Sequence, residues 1–164
     1  MKQGILIGLL VISLQAKAQD YMRSAGIRGG FSPGLTFRGY LDPQLAYEGL
    51  LSFRDKGLQI TVLRQHFEPV LWNLSDGFFL TFGYGGHLGF TNSYVYQPLF
   101  RTVHNPDRKF SPLAGLDGYL GLEYHIPGVP VQMGLDYKPF FEFSLYPFFQ
   151  MNVWDIAFTL KYKF

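Results

Sequence analysis

Residues 154–164 read WDIAFTLKYKF, and every second side chain, from Trp154 to Phe164, is aromatic or aliphatic. The side chains between them are mostly polar and include two lysines. A repeat of two is typical of a β-strand with one apolar and one polar face. Ten steps of ~3.3 Å, tilted by ~40°, rise about 25 Å, which is the height of the apolar band on a membrane-spanning barrel. The stretch therefore predicts a transmembrane strand.

The same alternation continues upstream through most of the chain. It recurs within residues 27–31, 35–41, 57–67, 78–90, 116–126 and 131–143, and the last two are joined by a Pro-Gly-Val-Pro turn. Residues 45–54 are ambiguous, because the preceding Asp-Pro suits the start of a helix whereas their apolar positions alternate as in a strand. The strand interpretation gives eight strands, and single-chain bacterial barrels have an even number. The sequence predicts an all-β fold, an eight-stranded antiparallel up-and-down transmembrane β-barrel.

The charged residues of these strands share the face opposite the apolar one. On a lipid face, a lysine or arginine near mid-membrane costs ~2–4 kcal/mol, whereas inside a barrel both signs of charge can pair. A soluble lipocalin-like barrel with the apolar face inward is the alternative. We therefore expect a polar, side-chain-filled lumen, in which Lys161 pairs with a carboxylate such as Asp136 or Glu123. The predicted lumen network is Arg28, Arg38, Glu48, Glu123, Asp136, Lys138, Lys161 and Lys163.

The first 18 residues are typical of a secretory signal peptide. A charged start and an uncharged apolar run precede Ala16-Lys17-Ala18, a small-x-small cleavage site. Residues 19–164 would then form a single barrel domain. The formal net charge of +2 includes Lys2 and Lys17, so the mature chain has no net charge and no basic field to recruit nucleic acid. The absence of cysteine excludes disulfides and thiolate-ligated metals.

The terminal stretch resembles the C-terminal signal that outer-membrane proteins present to the barrel-assembly machinery, with Trp154, Tyr162 and Phe164 as its aromatic positions. Segments 26–30, 82–87 and 121–124 resemble those of small outer-membrane barrels of the OmpA and OmpX transmembrane type. This resemblance implies an integral protein of the Gram-negative outer membrane, in contact with lipid and lipopolysaccharide. It supplies no catalytic residue. An even strand count places both termini in the periplasm.

Motifs that carry chemistry are scarce. No histidine pair has metal-ligand spacing, and we expect neither a cofactor nor a metal. His87 and His125 both face inward, either as an acid–base pair or, as we favour, as hydrogen-bond partners. A lipid-modifying enzyme would need a serine, a histidine and an acid at one rim, and Ser93, His104 and Asp107 are a weak match in residues 91–112.

Residues 91–112 form the longest predicted external loop and the best candidate for a contact surface. Aromatic residues with arginine are enriched at binding hot spots. The candidates here are Tyr94, Tyr96, Phe100 and Arg101. We therefore expect a non-enzymatic barrel with a structural or interaction role in the cell envelope. A small-solute channel is the main alternative, although eight strands leave an interior only just wide enough for side chains.

Overall fold

Eight antiparallel strands form a closed barrel in the computed structural model, which describes residues 23–54, 57–70, 77–92, 95–96, 103–104, 110–145 and 148–164. The predicted signal peptide lies outside the described residues. Residues 95–96 pair with residues 103–104 as a short two-stranded sheet of their own. The barrel strands are β1 (Arg23–Gly30), β2 (Gly34–Asp42), β3 (Leu45–Arg54), β4 (Gly57–Pro69), β5 (Phe78–Thr91), β6 (Ser111–His125), β7 in two parts, β7a (Val131–Tyr137) and β7b (Phe140–Ser144), and β8 in two parts, β8a (Phe149–Asn152) and β8b (Ile156–Lys163).

Each strand pairs with its neighbours in sequence, and β8b returns to pair with β1, where Leu160 is the partner of Ile27. The predicted up-and-down barrel is confirmed. Residues 45–54 form β3, so the strand interpretation is right and the helix alternative is wrong. Among the described residues, no helix is long and apolar enough to cross a membrane.

Along every strand, side chains alternate between a polar interior and an apolar exterior. Outward residues such as Ile27, Leu88 and Leu116 are 59%, 69% and 66% exposed, whereas the inward Arg38 and Glu48 are 0% and 1% exposed. This inverts the arrangement of a soluble domain, in which large apolar side chains fill the core. The prediction of a polar, side-chain-filled lumen is confirmed.

Strand β8 begins earlier than the sequence predicted, because it contains a bulge. Ile156 pairs with Tyr137, whereas Asn152 pairs with Phe140, so three residues of β8 lie opposite two of β7. The extra residue moves the outward positions from even to odd numbers, and Phe149 therefore packs on the outward side. The end of β7b at Ser144 and the start of β8a at Phe149 are therefore only five residues apart in sequence.

Inward glycines let neighbouring strands and large side chains share a narrow bore. A Cβ built on Gly85 would lie 2.0 Å from the carbonyl oxygen of Val62, and one on Gly121 would lie 3.1 Å from the hydroxyl oxygen of Tyr119. Glycine weakens a strand unless close approach requires it. At these two positions the interior requires it.

Candidate functional site

Two buried ion-pair clusters occupy the barrel interior, and the first is centred on Arg38. Its Nη2 atom lies 2.5 Å from Oε2 of Glu48 and 2.6 Å from Oε1 of Glu123. The Nζ atom of Lys161 lies 2.9 Å from Glu48 and 3.3 Å from Glu123. The hydroxyl of Thr36 donates a further hydrogen bond to Glu48. Two cations thus balance two carboxylates, as buried charges require.

The first cluster, called the lower cluster below, consists of Arg38, Glu48, Glu123 and Lys161. Strand order explains why these four residues lie close together. Arg38 on β2 is the direct cross-strand partner of Glu48 on β3. Glu123 comes from β6, which lies four strands from β2 in the ring of eight and therefore on the opposite wall. Arg38 donates from both Nη atoms to Glu123, at 2.7 and 2.6 Å. This bidentate pair crosses the bore.

The second cluster begins at Arg28 on β1. Its guanidinium lies 2.9 Å from Oδ1 of Asp136 and 3.1 Å from Oδ1 of Asp155. Ser32 donates to the other oxygen of Asp155 at 2.6 Å. Lys138 continues the chain, with its Nζ atom 3.2 Å from Asp155. The bulge in β8 thus presents Asp155 to cations from both neighbouring strands.

The series of ion pairs continues around the wall from β7 to the neighbouring strands β6 and β5. Lys138 donates to Asp117 at 2.9 Å, and Nδ1 of His87 lies 2.7 Å from the other oxygen of Asp117. His87 Nε2 lies 3.4 Å from Glu142, which also accepts from Arg54 at 2.6 Å. Arg54 on β3 and Glu142 on β7b lie on opposite walls, so this pair is a second bridge across the bore. The upper cluster comprises Arg28, Asp136, Asp155, Lys138, Asp117, His87, Glu142 and Arg54.

An apolar layer separates the two clusters. It consists of Leu50, Leu63 and Tyr119, all of them buried. Leu50 lies on β3 between Glu48 of the lower cluster and Arg54 of the upper one. The interior is therefore filled at three successive levels by ionic, apolar and again ionic contacts.

The structure brings most of the predicted lumen residues into these clusters, although not always with the expected partners. Lys161 contacts Glu123 as one of the two expected carboxylates, but Asp136 binds Arg28 instead. Lys163 is only half-buried and belongs to neither cluster. Arg54 and Glu142 belong to the predicted polar face, whereas the predicted network lacks His87, Asp117 and Asp155. Their inward parity in the sequence was the signal that could have found them.

The two inward histidines do not form a pair. His87 lies among Asp117 and Glu142, whereas His125 stacks on Phe79 with ring centroids 4.4 Å apart. They are separated along the wall because His87 is the partner of Gly115, ten residues from His125 on β6. Within the described part of the chain, no group of three or more potential ligands could hold a metal ion.

The remaining predicted site residues lie on the exterior or outside the described residues. Trp154, Tyr162 and Phe164 face outward, and the Phe164 ring lies 6.4 Å from that of Phe37. Their role as an assembly signal stays a prediction. Tyr96 lies in the short pair of strands within the loop between β5 and β6. Tyr94, Phe100, Arg101, Ser93 and Asp107 fall outside the described residues.

Comparison with known proteins bears on the fold. No family model matches the sequence, and no curated protein matches it. The crystal structure of the N-terminal β-barrel domain of Pseudomonas aeruginosa OprF is similar, with a TM-score of 0.56 and 9% sequence identity. The match covers 87% of this chain and 95% of the OprF chain. The expected resemblance to OmpA-type barrels is thus confirmed as a likeness of fold.

Proposed function

We propose that this chain is an integral outer-membrane barrel of the Gram-negative envelope, with a structural or interaction role and no open pore. The apolar exterior supports the membrane location. Each of the eight strands carries outward aromatic or aliphatic side chains that are more than one-third exposed. Soluble monomers rarely expose a continuous apolar surface of this kind. Lipid removes that surface from water, and the closed ring of strands satisfies the backbone inside the bilayer.

The bridges across the bore carry the proposal of a closed interior. Arg38–Glu123 and Arg54–Glu142 each join opposite walls, and all four side chains are at most 9% exposed. Between them lies the apolar layer of Leu50, Leu63 and Tyr119. An eight-stranded barrel has just enough room for such a filling. A solute would have to break both bridges to pass.

The contacts of the protein follow from the orientation that we propose. Both ends of the barrel chain lie on the periplasmic side, so the connection between β5 and β6 lies on the external side of the outer membrane. Its candidate contact residues are Tyr94, Tyr96, Phe100 and Arg101. The outer wall meets lipid and, in the outer leaflet, lipopolysaccharide. The barrel-assembly machinery would read the C-terminal strand.

Conductance and fractionation test the proposal together. The purified barrel should migrate differently on a denaturing gel before and after heating, and it should co-fractionate with outer membranes. In planar bilayers it should show no conductance steps. Discrete steps from the folded protein would favour the small-solute channel, and recovery in the soluble fraction would contradict membrane insertion.

Complementation tests the structural role. A deletion strain should become sensitive to detergent, and the wild-type protein should restore resistance. A variant with alanine at all four contact residues should insert normally but fail to restore it. Unchanged detergent resistance in the deletion strain would contradict a structural role.

A further inference from the structure

The outer wall of β2, β3 and β4 contains a groove that the barrel itself does not require. Its volume is about 460 Å³, which lies within the ~300–1,000 Å³ range of small-molecule sites. Gly39 and Gly49 form its floor, and Phe37, Leu41, Tyr47 and Val62 are its outward-facing sides. Arg23 stands at its rim.

The two floor glycines differ from the interior ones. A Cβ on Gly39 would meet no atom within 4 Å, and one on Gly49 would meet only the carbonyl oxygen of Phe37, at 3.9 Å. On Gly85, by contrast, a Cβ would lie 2.0 Å from a backbone oxygen. Close packing thus explains Gly85 and leaves the other two unexplained. Because positions 39 and 49 carry no side chain, the outer wall has open space there.

Strand register makes this space continuous. Gly39 pairs with Arg23 on one side and Tyr47 on the other, and Gly49 pairs with Phe37 and Val62. The two glycines lie on adjacent strands and on neighbouring rows of the sheet. The result is one continuous apolar groove that leads to the guanidinium of Arg23.

The charge at the rim selects the occupant. Arg23 is exposed and forms no ion pair with any of the described residues. The carboxylate behind the groove, Glu48, points inward and is already held by Arg38 and Lys161. A guanidinium beside an apolar groove suits a molecule with a phosphate and a hydrocarbon chain, because arginine binds phosphate oxygens through paired donors.

We propose that this groove binds one anionic glycerophospholipid, with an acyl chain over Gly39 and Gly49 and the phosphate on Arg23. The inference rests on the proposed membrane location. Arg23, the turn after β2 and the C-terminal end of β8 lie at the same end of the barrel, which is periplasmic in the proposed orientation. The groove therefore faces the phospholipid leaflet.

Native mass spectrometry tests the site on barrels released from bilayers of equal phosphatidylglycerol and phosphatidylcholine with matched acyl chains. The wild type should retain one phosphatidylglycerol, with a preference of about fivefold over phosphatidylcholine. Gly39→Leu/Gly49→Leu should retain neither lipid. Arg23→Gln should retain lipid without headgroup preference. The matched control is Gly29→Leu, an outward glycine with nothing within 4 Å of its Cβ position, which should behave as the wild type.

Each outcome assigns the result to one cause. Equal lipid retention by the wild type and the filled-groove variant would overturn the site, as would an undiminished headgroup preference in Arg23→Gln. Release of the lipid by inorganic phosphate alone would identify a free-anion site and also overturn it. Heat-dependent gel mobility reports insertion separately. A wild type that does not insert contradicts the proposed membrane function, whereas one that inserts without retaining lipid contradicts only the groove.

Discussion

Lys161 sets the charge balance of the lower cluster, because it is the second cation for two carboxylates that share Arg38. Lys161→Met should lower the free energy of unfolding by about 3–5 kcal/mol, the usual cost of removing one partner from a buried pair. The melting temperature in detergent, followed by gel mobility, measures the effect. Lys163→Met is the matched control, since Lys163 is half-buried and has no ion pair among the described residues. Equal melting temperatures for Lys161→Met and the wild type would contradict the network.

A second replacement tests whether charge balance is the cause. In a Glu48→Gln background, Arg38 and Glu123 still balance when Lys161 is replaced by methionine. The additional loss on Lys161→Met should then be smaller than in the wild type by ~1–3 kcal/mol, as expected for coupled neighbours. Strictly additive losses in this cycle would show that Lys161 acts through packing alone.

The ion-pair partner of a side chain is harder to predict than the side of the barrel wall on which the side chain lies. Lys161 was correctly placed inside by alternation, and Glu123 was one of its two expected partners. Asp136 was the other, but the register pairs Lys161 with Gln132, four residues from Asp136 along β7a. Contacts across the bore, such as Arg38–Glu123, depend on which strands stand opposite each other. That information lies in barrel closure rather than in any one strand.

Glycines at the scale of the strand divide into two kinds, and alanine substitution should separate them. Gly85→Ala on β5 should destabilise the barrel by about 1–3 kcal/mol, because the new methyl would force β4 and β5 apart. Gly39→Ala on β2 should be neutral or stabilising by ~0.5–1 kcal/mol, since its Cβ meets nothing and alanine restricts the unfolded chain. Melting temperatures of the two variants check this. An equal loss for both would mean that strand propensity, not close approach, governs these positions.

Strand β8 shows where alternation stops being a guide. From Trp154 onward its parity predicted every outward residue, but the pattern gave no strand before residue 154. The bulge is the physical reason, because one extra residue opposite β7 shifts the outward set to Phe149 and Met151. The alternation of apolar and polar residues therefore detects each regular part of a strand but misses the bulge that joins the two parts.

At the scale of the whole molecule, alternation, composition and strand count together predicted the closed eight-stranded barrel. They could not predict how the interior divides into two ionic clusters around Leu50, Leu63 and Tyr119, because these three residues occupy polar-face positions in their strands. Within one strand, an apolar residue on the polar face is only an isolated exception to the alternation. It becomes a layer only when β3, β4 and β6 are brought around the same bore.

The orientation of the whole barrel gives the last prediction, since an even number of strands places the turn after β6 on the same side as both ends of the barrel chain. We expect a cysteine at Tyr96 to react with a membrane-impermeant maleimide on intact cells. A cysteine at Val129, in the exposed turn after β6, should react only after the outer membrane is permeabilised. A cysteine at Leu135 is the control, because this outward side chain would be shielded by lipid under both conditions. Labelling of Val129→Cys but not Tyr96→Cys on intact cells would reverse the proposed orientation, and labelling of all three would contradict insertion.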